Sequence, residues 1–202
     1  PLIHSRTGAV VGEKPARKIM EMIAESAWEC GDPGVLFIDR INRENPTPGL
    51  GRIEATNPCG EQPLLPFESC TLGSVNLTRF VSDQGIDYEG LERIVTLAVH
   101  FLDNVIEVNR YPLRRIEEWS RTNRKIGLGV MGFADALIAM GVPYQSQKAL
   151  DLAEQIMGCI QQTAAAASAR LAETRGSFPA FGHSVFPEKG VMRRRNAAVT
   201  TI

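Results

Sequence analysis

Two apolar stripes at helical spacing constrain this chain more than any other feature. Between residues 146 and 175, Ala153, Ile156, Ile160, Ala164 and Leu171 recur at intervals of three, four and seven positions, which places them on one face of an α-helix. Ser146 suits the start of that helix, and Arg175 followed by Gly176 suits its end. A second stripe, Leu91, Ile94, Val95, Ala98, Leu102 and Val105, follows Asp87, a natural N-cap.

Shorter signals fill the rest. Residues 15–30 carry Ile19, Met20, Ile23 and Ala27 at helical spacing, with Pro15 suited to a first turn. Gly31, Asp32, Pro33 and Gly34 break that helix, and VLFID (35–39) reads as a short buried strand. Residues 42–56 read as a long loop rich in Asn, Pro and Gly, and SVNL (74–77) as a second short strand. Further helices are expected around 113–122 and over 133–141, and AAVTTI (197–202) reads as a strand barely started. The fold class is therefore α/β and helix-rich, with too few strands to close a sheet alone.

Composition removes several functions. With 44% hydrophobic and 22% charged residues, the chain reads as an ordinary globular protein. Its net charge of −1 offers neither nucleic acid nor an anionic membrane a basic footprint. No apolar run reaches the roughly 20 residues of a membrane helix, and the N-terminus lacks the pattern of a signal peptide. Cys30, Cys59, Cys70 and Cys159 are scattered with no CxxC pair, which argues against a zinc site or a disulfide scaffold and for a cytoplasmic setting with reduced thiols. The start at Pro1 and the stop within AAVTTI suggest a piece of a longer polypeptide.

Candidate chemistry concentrates in NPCGE (57–61). Pro58 biases Asn57 towards extended backbone, and Gly60 allows a close approach or a tight bend. If the stretch is extended, Asn57, Cys59 and Glu61 project to one side: an amide that orients, a sulfur for one-electron or nucleophilic chemistry, and a general base. The alternative is a surface turn with a bystander cysteine, and spacing alone leaves both open.

The longer stretch ATNPCGEQPLLPFESCTLGSVNLTRF (55–80) resembles the active-site segment of the ribonucleotide reductase large chain. NRKIGLGVMGFADALIAMGVPY (123–144) resembles a second segment of that family, and NAAVTTI (196–202) the approach to its phosphate-binding loop. The form NPCGEQPL is most similar to the adenosylcobalamin-dependent, class II, enzymes. The resemblance implies that residues 1–202 are a partial catalytic domain from the family's ten-stranded α/β barrel. It puts NPCGE on a finger through the barrel centre, sheltered from bulk water. It implies that Cys59 becomes a thiyl radical, that Glu61 takes the proton of the ribose 3′-hydroxyl and that Asn57 orients the ribose hydroxyls. Cys70 matches one of two cysteines that supply reducing equivalents, its partner lying upstream of Pro1. The implied activity is reduction of ribonucleotides to 2′-deoxyribonucleotides for DNA synthesis. It carries a ribonucleoside di- or triphosphate substrate, adenosylcobalamin as cofactor, a thioredoxin-type reductant and nucleotide effectors bound outside this chain. It allows a homodimer, identifies no cofactor-binding residue here and leaves the isolated piece inactive.

Two rivals stand beside it. Gly127, Gly129 and Gly132 spell GxGxxG, with Asp151 about twenty residues on, as an NAD-binding oxidoreductase would require. Yet the preceding EEWSRTNRK is polar and Asp151 opens a helical stripe, so the glycines are expected to permit close helix-to-strand packing. A catalytically inactive binding module of the same fold would have little reason to keep Asn57, Cys59, Glu61 and Cys70 together. Cys30 and Cys159 match no motif and are expected to be small buried hydrophobes, with Trp28 and Trp119 on packed helix faces. The three isolated histidines suggest no metal site, and Arg193, Arg194 and Arg195 read as a solvated face.

Overall fold

The computed structural model describes residues 1–201, and the chain divides into two units, Pro1–Phe37 and the residues from Ile38 onward. In the first unit, β1 (Leu2–Ile3) and β2 (Val10–Gly12) pair antiparallel, and α1 (Ala16–Cys30) runs from an extended Pro15 to Gly31 at φ +81°. The helix forms where its periodicity places it, but none of its residues is buried. Trp28 is 89% exposed and Cys30 is exposed, against the packed face and buried thiol expected. Periodicity decides which side chains share a face, not what covers that face.

The expected strand VLFID does not form. Residues 35–37 have no regular structure, and Ile38 opens α2 (Ile38–Arg43). With Asp39 in its first turn and Arg40 and Arg43 in its last, the short helix suits its own dipole better than a β-ladder without a partner. Asn42 then ties the helix to the following loop, donating to Ile53 O at 2.8 Å and accepting from Ile53 N at 2.8 Å.

Two long helices organise the second unit. α3 (Tyr88–Val108) is capped by Asp87, whose Oδ1 accepts from Gly90 N at 2.9 Å. The last long helix, Gln147–Arg175, is capped by Ser146, whose Oγ accepts from Ala149 N at 3.2 Å, and ends at Gly176. Leu91, Val95, Val99, Leu102 and Ile106 of α3 meet Ile156, Ile160, Ala164 and Ala167 in one core. Ile94, expected in the buried stripe, is 40% exposed, because the buried face is centred on Val95 and Val99.

That core packs on parallel chain segments. β5 (Thr71–Asn76) pairs in parallel with β8 (Ile126–Met131), Leu72 opposite Gly127 and Val75 opposite Val130. Residues 198–201 lie along the other edge of β8: Ile126 N donates to Ala198 O and Leu128 N to Val199 O, both at 3.0 Å, and Thr201 N donates to Leu128 O at 3.1 Å. Parallel neighbours need long crossovers. α3 and α4 (Arg114–Asn123) supply the first, and α5 (Phe133–Ala139) and α6 (Gln147–Arg175) the second. Two short antiparallel hairpins hang from this frame: β3 (Ala55–Thr56) with β4 (Pro63–Leu64), and β6 (Val81–Ser82) with β7 (Gly85–Ile86).

The arginine run is not a solvated face. Arg195 pairs with the fully buried Asp103 at 3.3 Å, Arg194 stacks over the Phe186 ring at 4.9 Å, and only Arg193 stays at the surface, 3.6 Å from Glu173. In irregular backbone, consecutive side chains leave in different directions, so a charge run need not share one environment. Asp103 also binds Arg124 at 2.8 Å and Arg175 at 3.1 Å, and it accepts from Asn196 Nδ2 at 3.0 Å. No helix among the described residues is long and apolar enough to cross a membrane.

Candidate active site

NPCGE forms the tip of the β3–β4 hairpin, and it is a turn rather than an extended row. Gly60 N donates to Asn57 O at 3.0 Å, with Gly60 at φ +87°, a conformation that favours glycine. Asn57 N donates to Gln62 O at 3.2 Å, and Asn57 Oδ1 accepts from Gln62 N at 2.9 Å. Pro58 suits the second position of such a turn, and the reversal that follows means that the alternation of Asn57, Cys59 and Glu61 does not put all three on one side. Asn57 instead clasps the hairpin shut.

The turn nevertheless brings Cys59 and Glu61 together. Both line a cleft of about 650 Å³ with Gly60, Pro63, Met157, Thr200 and Thr201. Glu61 Oε2 is buried and has no hydrogen-bond partner, so the cleft wall holds an acceptor with unmet capacity. Cys59 is exposed, in contrast to the shelter expected of a central finger; β5, β8 and residues 198–201 make too short an arc to enclose it.

Cys70 sits at the mouth of β5 and is half-buried. Burial pushes its thiol above the ordinary cysteine value, a backbone hydrogen bond opposes this, and the Glu61 carboxylate raises it further. Glu61 thus shares the cleft with one cysteine and is felt electrostatically at the other. Cys159 lies half-buried on α6 with Sγ 4.0 Å from Glu92 Oε1 and does not line the cleft. Among the described residues no three His, Cys, Asp or Glu side chains converge as metal ligands.

Two glycines of IGLGVMG make room beside Thr201, which lines the cleft, whereas Gly132 abuts Asn76 and Thr78. Gly127 and Gly129 lie within β8, and a Cβ on Gly127 would stand 2.6 Å from Leu72 Cδ2 and 2.9 Å from Gln62 Oε1 and would overlap the Thr201 side chain. The close approach they permit is therefore to β5 at Leu72, to Gln62 of the hairpin and to residue 201, not to a helix as expected. The NAD-binding alternative has no support in this geometry, since α4 precedes β8, the first two glycines are in the strand and Asp151 is an exposed residue of α6.

Sequence reasoning missed the polar support beneath the hairpin. The Glu68 side chain is 1% exposed and that of Lys125 3% exposed, and Lys125 Nζ lies 2.6 Å from Glu68 Oε2. The same Oε2 accepts from Leu65 N at 2.6 Å, Asn123 Nδ2 donates to Glu68 Oε1, and Lys125 Nζ donates to Pro63 O at 3.4 Å. Glu68 and Lys125 stand 57 positions apart, and no local pattern links them. Thr200 and Thr201 were legible only as the last polar residues of a strand-like run.

Residues 4–197 match the family described as "Ribonucleotide reductase, barrel domain". The chain belongs to the ribonucleotide reductase family. It is 54% identical over 201 residues to a vitamin B12-dependent ribonucleoside-diphosphate reductase of Mycobacterium tuberculosis strain CDC 1551, covering 100% of this chain and 29% of that protein. A vitamin B12-dependent ribonucleoside-diphosphate reductase of Thermoplasma acidophilum is 48% identical over 202 residues, again 100% of this chain and 26% of the relative. Among solved structures, the Actinobacillus ureae class Id ribonucleotide reductase alpha subunit superposes with a TM-score of 0.76 at 26% identity, over 92% of this chain and 36% of the other. The chain thus spans less than a third of the length of these curated relatives. The helix-rich α/β architecture, with strands and helices alternating around β8, is part of the reductase barrel.

Proposed function

We propose that this protein reduces ribonucleotides to 2′-deoxyribonucleotides by thiyl-radical chemistry, with the cleft beside the NPCGE hairpin as its reaction centre. The observation that carries the reading is the pairing, on one cleft wall, of the Cys59 thiol with a buried and unpartnered Glu61 oxygen. The names of the relatives favour a ribonucleoside diphosphate as substrate and a cobalamin cofactor. The residues fit such a cofactor in one respect that matters: a cysteine thiol lines the cleft, and a thiol is a group that can give up a hydrogen atom. Adenosylcobalamin, when bound, supplies the one-electron chemistry that takes the hydrogen atom from that thiol.

The roles assigned to this chain's own residues are those that the family resemblance implies, supported for Cys59 and Glu61 by their shared place on the cleft. The Cys59 thiyl abstracts the ribose 3′ hydrogen, a reversible step because S–H and C–H bonds are close in strength. Glu61 accepts the 3′-hydroxyl proton, a general-base role that needs only hydrogen-bond reach. Asn57 Oδ1 is engaged by Gln62 N, which leaves the amide hydrogens as the donors it offers a ribose hydroxyl. Loss of the 2′-hydroxyl as water takes up two electrons and two protons. Cys70 and a second thiol of the protein provide these as they close to a disulfide, and a thioredoxin-type reductant in a reducing cytoplasm reopens it. Burial and the Glu61 charge raise the Cys70 thiol above its ordinary value, so it keeps its proton to higher pH than a free cysteine does.

The test is Cys59→Ser in the full-length protein. With adenosylcobalamin and a ribonucleoside diphosphate, the variant should show no deoxyribonucleotide product and an unchanged circular dichroism spectrum. Product formation at the wild-type rate would remove Cys59 from the mechanism.

A further inference from the structure

Between the hairpin that carries Cys59 and the strand that begins at Thr71 lies a six-residue connection, Leu65 to Cys70. It bends in an unusual way. Phe67 is one of two non-glycine residues with positive φ among those described, at +68°. A bulky side chain tolerates that conformation only where its surroundings over-determine it. Glu68 N donates to Leu65 O at 3.0 Å to close the turn, and Glu68 Oε2 accepts in return from Leu65 N. The Arg115 guanidinium covers the Phe67 ring at 3.9 Å.

The Glu68 carboxylate reaches beyond its own turn. Lys125, the residue before β8, meets it as a buried ion pair and also reaches Pro63 O in the hairpin. Asn123, at the end of α4, binds it and donates to Thr47 Oγ1 at 3.3 Å. A buried pair is weak evidence for stability, since desolvation offsets much of the attraction. Its geometry fixes three pieces of chain with respect to one another: the hairpin at Pro63 and Leu65, the connection at Glu68, and the entry to β8 at Lys125.

We propose that Glu68 and Lys125 are positioning residues that lock the Cys59–Glu61 hairpin against β8 and hold it in register with Cys70. Neither lines the cleft, so neither is a catalytic residue. The inference rests on the function proposed above, because register between the two cysteines matters only if both serve one reaction. Displacing a reacting group by about 1 Å can cost about 100-fold in rate, whereas substrate affinity depends on contacts that the clamp does not make.

The experiment uses the full-length protein with Glu68→Gln, Lys125→Met and the two combined. Each single variant should lose about 10- to 100-fold in kcat with KM changed less than about twofold. The double variant should fall no further than the worse single, since both changes break one interaction. Hydrogen exchange of amides 57–70 should quicken at least about tenfold in each variant while β8 and α6 keep their protection. Losses that multiply in the double variant would overturn the proposal, as would unchanged kcat in a folded variant or a KM effect alone. If a single variant fails to fold, the double, which buries no unpaired charge, decides the matter by the same kcat and exchange criteria. A wild-type protein that reduces no ribonucleotide would sink the functional reading, and the exchange data would still decide whether the clamp holds the hairpin.

Discussion

Glu61 occupies a position from which one carboxylate influences two sulfurs. It lines the cleft beside Cys59, and its charge adds to the burial that raises the Cys70 thiol. For a thiol, a raised value means that the reactive thiolate appears only at higher pH. Glu61→Gln removes the electrostatic part and leaves burial in place. The inflection in Cys70 alkylation against pH, followed by peptide mass spectrometry, should therefore move down yet stay above that of an unhindered cysteine. An unmoved inflection would mean that Glu61 does not act on Cys70. Gly127 sets a second constraint at this scale, because any side chain there meets Leu72, Gln62 and Thr201. Gly127→Ala should destabilise the fold by about 1–3 kcal/mol, the usual cost of overpacking, measurable by urea unfolding. A neutral result would show that Gln62 and Thr201 give way easily.

At the scale of elements, Asp103 holds together α3, the start of β8 and the segment leading to Thr200 and Thr201. Burial alone pushes its carboxyl up, but hydrogen bonds and charge from Arg124, the charge of Arg195 and a bond from Asn196 outweigh burial, so the group is held below the ordinary carboxylate value. A depressed folded value stabilises the protein above the unfolded value, and that contribution is lost as pH falls from about 4 through the lower folded value. Asp103→Asn leaves the buried Arg124 with Glu107 as its remaining carboxylate, and the expected cost near neutral pH is about 3 kcal/mol, the lower end for a broken buried pair. Its urea midpoint should also lose part of the wild-type fall below about pH 4. A variant as stable as wild type, with the same acid dependence, would show that Asp103 does not hold these elements together. Elements were where the sequence spoke most clearly. Asp87, Ser146 and Gly176 bound the two long helices because capping is a local interaction between neighbours in the chain. Strand VLFID failed for the complementary reason, since a strand exists only with a partner that its own residues do not specify.

For the molecule as a whole, burial is uneven. The unit from Ile38 onward holds the packed core of α3, α6, β5 and β8, whereas α1 in the first unit has no buried residue. Amides of α3 and α6 should accordingly exchange with solvent far more slowly than those of α1. Equal protection would mean that α1 is covered by something these contacts do not show. The parallel order of β5, β8 and residues 198–201 is a property of this scale too, because each pairing spans a crossover through helices.

The sequence by itself determined the long helices, their caps and the family, though not α2: capping and periodicity act between residues a few positions apart, and the motifs around Cys59 and Cys70 are contiguous. Tertiary structure alone decided that NPCGE turns rather than extends, that Asn57 clasps the hairpin, and that Glu68 meets Lys125 and Asp103 meets Arg195. Those ion pairs join residues tens of positions apart, and a buried charge finds its partner through the fold that desolvates both, which no local pattern encodes.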